Sequence, residues 1–190
     1  MNKIDGLNFL HEYKLPTVQL LELDELLTNP LLLSCGISLR LASKHDGIDV
    51  NLPSLHGIKS IDQIMDFYHK YQDDYNILIH ETVRPNIIGT CSKYSLTNDV
   101  LVIETFNNFN DRKHEIVNER AIIDMLDNQI IKIDSNNFQN KRLLRDILND
   151  VLEIPYNDFT IEFVIDREKT IYTDFYSSRY KDCHSLVKRI

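Results

Sequence analysis

The sequence predicts an α+β fold with mostly antiparallel sheets, and three observations carry that expectation. The stretches SIDQIMDFYHKYQ (60–72) and FQNKRLLRDILNDVLE (138–153) repeat apolar residues at helical spacing. NILIHETV (76–83), IIGTCSKY (87–94) and DVLVIETF (99–106) read as successive strands separated by short turns. No GxGxxG or GxxxxGK[ST] occurs, so neither a dinucleotide fold nor a P-loop is signalled.

Taken in order, residues 3–14 place Ile4, Leu7, Leu10 and His11 on one helical face, ended by Leu15-Pro16. VQLLEL (18–23) reads as a strand, and DELLTNP as a helical turn stopped by Pro30. GISLRLAS (36–43) alternates Ile37, Leu39 and Leu41 against Ser38, Arg40 and Ala42, so Arg40 leaves the non-core face of a strand. KHDGIDVNLPSLHGIK (44–59), with two glycines and a proline, reads as a long loop. In the helix at 60–72, Ser60 or Asp62 is the cap and Ile61, Ile64, Met65, Tyr68 and Tyr71 form the stripe. NNFNDRK (107–113) reads as a polar loop. Asn128 and Gln129 between two apolar runs favour a hairpin within 114–134. The helix at 138–153 buries Leu143, Leu144, Ile147, Leu148, Val151 and Leu152.

The last element, TIEFVIDREKTIYTDF (160–175), reads as a hairpin. A three-residue turn at Arg167–Lys169 sets Glu162 opposite Asp174, and like charges facing each other destabilise a sheet. Two readings are open. The acids are solvated on an edge hairpin, or they share a hard cation such as magnesium, which takes one or two carboxylates beside phosphate oxygens. Arg40 divides the same way, as a surface cation or as a guanidinium set before a glycine-containing loop to meet phosphate.

Composition narrows the class. With 43% hydrophobic and 26% charged residues in 190, the chain is an ordinary globular protein. A net charge of −8 argues against non-specific binding to nucleic acid or an anionic membrane. The basic residues Arg179, Lys181, Lys188 and Arg189 read as a solvated tail. Cys35, Cys91 and Cys183 are odd in number and far apart, which favours a reducing compartment over a disulfide or zinc framework. With no signal-peptide pattern and no apolar run of membrane-spanning length, a cytoplasmic location is expected, with no membrane partner. His45, His56, His69 and His80 share no ligand spacing, and Cys35 and Cys91 sit in apolar sequence that suits burial better than nucleophilic chemistry.

Four segments in order carry a resemblance. KIDGLNFLHEYKLPTVQLLEL has a lysine, a leucine four residues on and a Leu-Pro before a strand, at Lys3, Leu7, Leu15 and Pro16. GISLRLASKHDGIDVNLPSLHG is similar to a Val-Arg-Ser-Ser strand leading into a Ser-Phe-Ala-Gly loop, with Arg40 on the arginine and Ser54, Leu55, His56 and Gly57 on the loop. NILIHETVRPNIIGTCSKY is similar to a hinge strand followed by Ser-Gly, with His80 to Val83 on the hinge and Gly89 on the glycine. DFTIEFVIDREKTIYTDFYSSR is similar to a closing acidic hairpin, with Glu162 on its glutamate and Asp174 on its later glutamine. Together they resemble the ATP-grasp nucleotide-binding domain of pyruvate phosphate dikinase, phosphoenolpyruvate synthase and rifampicin phosphotransferase.

The resemblance implies a two-lobed ATP-grasp-like domain, with lobe one at about 1–83, lobe two at about 84–178 and a tail at 179–190. It implies ATP and Mg2+ as cofactors, with Lys3 and Arg40 catalytic. Lys3, Arg40, Glu81, Thr82, Val83 and Arg179 would hold ATP. Ser54, His56 and Gly57 would form the phosphate loop, and Glu162 and Asp174 would hold the metal. The implied activity is phosphoryl transfer to an acceptor, in the family's logic a separate phosphoacceptor protein. The alternative is a catalytically inactive nucleotide-binding or scaffolding module. Departures exist: Arg40 is followed by Leu-Ala-Ser, and Arg179 lies five residues after Asp174, where the family spacing is two. No carrier domain or barrel fits in 190 residues, so the expectation is a minimal ATP-grasp unit.

Overall fold

The computed structural model describes residues 2–44, 52–95, 99–126, 129–135, 138–156 and 158–177. They form an α+β fold of two mostly antiparallel sheets and a few helices. The chain divides into two compact units: unit 1 is Met1–Asn86 with Val164–Asp174, and unit 2 is Ile87–Phe163 with Phe175–Ile190.

Unit 1 opens with α1 (Lys3–Glu12), capped by Asn2 and Asp5 in a reciprocal capping box. α2 (Leu23–Thr28) follows, and Pro30 begins a 3-10 helix, Pro30–Cys35, rather than stopping structure, since proline is tolerated in a first helical turn. The segment expected as a strand at 18–23 makes only a bridge from Leu20 to His80 and a bond from Leu21 N–H to the Ile79 carbonyl, 2.8 Å. Its apolar run buries Val18 and Leu21 without a ladder.

Three strands form the first sheet, in the order β2 (Ser54–Ile58), β1 (Ile37–Ser43), β3 (Tyr75–Glu81), all antiparallel. Residues 54–58 are therefore a strand and not part of a loop. The expectation failed because Pro53 and Gly57 punctuate a stretch too short to show a period, whereas pairing with β1 supplies its backbone bonds. Ile37, Leu39, Leu41 and Ile79 meet Leu21 and Leu26, and Ile64 and Phe67 of α3 (Ile61–Tyr71), in one core cluster. Ser60 caps α3.

Unit 2 is built on β4 (Ile87–Ser95), β5 (Asp99–Phe106), β6 (Glu119–Leu126) and β7 (Gln129–Asp134), with β8 (Phe159–Asp166) and β9 (Lys169–Ser177) completing the strand order β7-β6-β5-β4-β8-β9. The boundary between the units falls within β8 and β9. The polar stretch 107–113 holds a short helix, α4 (Phe109–Lys113), because Asn108 accepts from Asp111 N–H as its cap. α5 (Lys141–Val151) buries Leu143, Leu144, Ile147, Leu148 and Val151, as its spacing predicts. The buried sheet face carries Leu101, Ile103, Ala121, Ile123, Ile161 and Phe163. Among the described residues no helix is long and apolar enough to cross a membrane, which leaves β-barrels unaddressed.

Gly89 on β4 is required by packing. A Cβ there would lie 2.7 Å from Cε1 of Phe163, a fully buried ring with no room to withdraw. Gly89→Ala is expected to cost about 1–3 kcal/mol by overpacking, read as a lowered urea midpoint at constant slope. Phe163→Leu in the same chain should recover part of the loss by making room for the added methyl.

Candidate functional site

Alternation along β1 turns Ser38 and Arg40 away from the core cluster. Register sets Ser38 against His80 and Arg40 against Ser54, so these four share the polar face of the small sheet. His56 extends the set, with Nδ1 3.1 Å from Ser38 Oγ and Nε2 3.2 Å from Ser54 Oγ. Ser38 Oγ lies 2.9 Å from Thr82 Oγ1, which also accepts the Gly57 N–H at 3.0 Å. A continuous polar chain thus runs Ser54, His56, Ser38, Thr82, Gly57.

Arg40 is the charged member. Its Nη2 lies 2.5 Å from Asp174 Oδ2 and its Nη1 donates to the Thr173 carbonyl at 3.3 Å. The Asp174 side chain is 2% exposed and that of Arg40 is 17% exposed, so the pair is mostly withdrawn from water. Lys3, in the first turn of α1, donates from Nζ to the Leu41 carbonyl at 3.4 Å. Two cations therefore stand beside the same stretch of β1.

The histidines on this face are held neutral. Burial lowers the His56 pKa, helped by the Arg40 charge. Burial takes that of His80 down to about 4, opposed by its bond to the Glu81 carbonyl and aided by the charges of Arg40 and His56. The His80 Nδ1–H donates to that carbonyl at 2.7 Å, leaving Nε2 as a buried acceptor with no partner among the described residues.

Unit 1 thus contains Lys3, Arg40, Ser54, His56, Gly57, Glu81, Thr82, Val83 and Asp174 of the residues the sequence singles out. Glu81 is exposed and pairs with Ile37 on β1, while Thr82 N–H is taken by the Gly36 carbonyl at 2.9 Å. Glu162 belongs to unit 2, where it pairs with Arg112 of α4. Arg179 lies outside the described residues, as do His45 and Cys183. Cys91 is fully buried and burial pushes its thiol pKa up, which fits a structural cysteine and not a nucleophile.

The hairpin turn differs from the sequence expectation of three residues at Arg167–Lys169. It holds two residues, Arg167 and Glu168, both at positive φ (49° and 67°), the conformation of a tight hairpin loop. Lys169 already belongs to β9, so the turn is one residue shorter than the sequence predicts. Glu162 and Asp174 each have their own arginine. Among the described residues no group of three or more His, Cys, Asp or Glu side chains is placed to hold a metal. Ser38 and Arg112 escaped the sequence reading, while His80 entered it only as part of the hinge. Ser38 had a signal, since it shares the alternation of Arg40. Arg112 had none, because it lies 50 residues from Glu162 in a stretch read as loop.

Comparison with known proteins follows this geometry. No protein-family model matches the chain, and no curated protein matches it in sequence. Solved structures do match in fold. N5-carboxyaminoimidazole synthetase from Staphylococcus aureus superposes with a TM-score of 0.55, at 10% identity over 98% of this chain and 46% of that one. The N5-carboxyaminoimidazole synthase from Aspergillus clavatus, solved with ADP and 5-aminoimidazole ribonucleotide, gives 0.52 at 13% identity over 92% and 43%. D-alanyl-alanine synthetase A from Vibrio cholerae gives 0.52 at 11% identity over 92% and 54%. This chain spans about half the length of these proteins. The likeness is one of fold: the chain has an ATP-grasp-like fold. These three neighbours carry that broader likeness and not the narrower one to the dikinase domain.

Two outcomes follow. Arg40→Ala is expected to lower stability by about 3–5 kcal/mol, because it strands a buried carboxylate, whereas Arg40→Met with Asp174→Leu should lose much less; urea unfolding of both variants measures the difference. The second concerns acid. An unfolded histidine titrates near 6.5 and His80 in the fold at about 4, so the unfolded state binds more protons between these values. The stabilisation is complete above about pH 6.5 and falls as pH drops toward 4, by about 3 kcal/mol in all. The difference in unfolding free energy between wild type and His80→Gln across that window should trace this loss, and a flat difference would contradict it.

Proposed function

We propose that the polar face of the unit 1 sheet binds the phosphates of ATP and that the chain is a nucleotide-binding domain. The observation that carries this is the convergence of Lys3 and Arg40, distant in sequence, beside the same stretch of β1. Hydroxyls and a histidine held toward its neutral form surround them. The ATP-grasp-like fold supports the reading, as does the ADP with which one structural neighbour was solved.

In this proposal Arg40 neutralises phosphate charge, and Asp174 keeps it oriented. Lys3 adds a second charge, and Arg179 is a further candidate cation. Ser54, His56 and Gly57 on β2 line the phosphates, and Glu81, Thr82 and Val83 face the base. Magnesium would enter with the nucleotide, and no step is assigned to Glu162 and Asp174 acting on it together. Phosphoryl transfer to an acceptor on a separate protein is the activity this domain would serve, with Lys3 and Arg40 stabilising the transferred charge. A second reading keeps the nucleotide and omits transfer. The arginine pairing of both acids favours it, since paired carboxylates are poorer metal ligands.

Thermal unfolding with ATP, with and without Mg2+, tests binding. At a hundredfold excess over Kd, stability should rise by about 2.7 kcal/mol, or about 5–11 °C for a chain of this length. Lys3→Ala should cut the shift while leaving the ligand-free midpoint nearly unchanged. No shift with ATP, ADP or GTP would overturn the proposal. Transfer of the labelled γ-phosphate to a cell extract protein would separate the two readings.

A further inference from the structure

We infer that β7 is a self-association edge through which two copies of this chain pair antiparallel. Among the described residues β7 ends the strand order, with only β6 beside it. The buried face of β6 carries Ala121, Ile123 and Met125, all at most 2% exposed. Register continues that face onto β7 through Ile133, opposite Ile123, and Ile130, opposite Met125. These two are 43% and 38% exposed, and Ile131, at the register shift between them, is 64% exposed. Among the described residues the apolar layer of unit 2 therefore runs out to its edge strand uncovered. With Ile122 and Leu126, five large exposed apolar side chains lie on this one hairpin. That is a concentration and not the scatter normal for a surface.

The charges on the strand identify the occupant. Edge strands are usually guarded against foreign strands by lysine or a bulge, and β7 has both, in Lys132 and the irregularity at Ile131. In the sequence QIIKID a two-fold axis through Ile133 sets Lys132 of each copy opposite Asp134 of the other, giving two complementary pairs around an isoleucine contact. An axis through Lys132 would oppose lysine to lysine, and one through Ile131 would leave both charges facing apolar or neutral residues. The guard is thus neutralised by a second copy in a single register. With the axis normal to the sheet, the two apolar faces join on one side, and Ile133 of each copy covers that of the other. One short strand makes a contact smaller than a standard interface, so the dimer is a weak one in the micromolar range.

Sedimentation velocity of the full chain from low micromolar to near-millimolar concentration tests this. Wild type should move from monomer toward dimer. Ile133→Lys, with lysine against lysine on the axis, should dimerise only at concentrations higher by about tenfold or more, as should Asp134→Lys. The exchange Lys132→Asp with Asp134→Lys restores both pairs and should restore the dimer. Unchanged thermal midpoints at dilute concentration establish that the variants fold. A wild type monomeric throughout, a dimer indifferent to Ile133→Lys, or an exchange that fails to restore association would each overturn the inference.

Discussion

Unit 1 depends on the return of the chain at residues 164–174. That return bridges Thr17 to Tyr172, with Thr17 Oγ1 donating to the Tyr172 carbonyl at 2.8 Å and Tyr172 N–H to the Pro16 carbonyl at 2.7 Å. It also takes the Asn86 N–H on the Ile165 carbonyl and brings Asp174 to Arg40. Closing so long a loop costs entropy before any contact repays it. The closure is therefore made by several backbone bonds together with burial of Tyr172, which is fully enclosed.

The ion pair in that closure has two consequences. A carboxylate as enclosed as Asp174 requires a fixed cation, so Arg40 cannot be exchanged without leaving a charge stranded. In return Asp174 holds the guanidinium in one orientation, which removes the rotamer freedom a long side chain otherwise loses on binding. Around it Ser38, Ser54, His56 and Thr82 satisfy one another, so the face is pre-arranged and polar without net negative charge. A neutral imidazole beside an arginine is what burial dictates, because a second charge there would be both desolvated and repelled.

Unit 2 answers to packing more than to charge. Its sheet is dense enough at Gly89 that the Phe163 ring occupies the place of a side chain. Two of its ion pairs, Lys93 with Asp99 and Arg120 with Glu104, join residues of neighbouring strands or of one hairpin. The same apolar face becomes progressively more exposed toward β7, so the feature that stabilises the interior becomes an adhesive surface at the rim.

Much of this fold was legible in the chain because its determinants are local. The stripe of α5, the cap of α3 and the alternation of β1, β4 and β5 depend on residues within one or two turns or strand repeats of each other. Alternation also sufficed to turn Arg40 away from the core, and the order of four loose motifs pointed to an ATP-grasp-like fold. Tertiary structure decided what local pattern cannot encode. The strand at Ser54–Ile58 exists because β1 offers partners for its backbone, and the run at 18–23 is not a strand because its apolar residues are satisfied by burial alone. The acidic hairpin closes with a turn of two residues rather than three. The partners of Glu162 and Asp174 lie 50 and 134 residues away. Periodicity records which side of an element is buried; which charge meets which is settled only when distant segments compete for the same desolvated space.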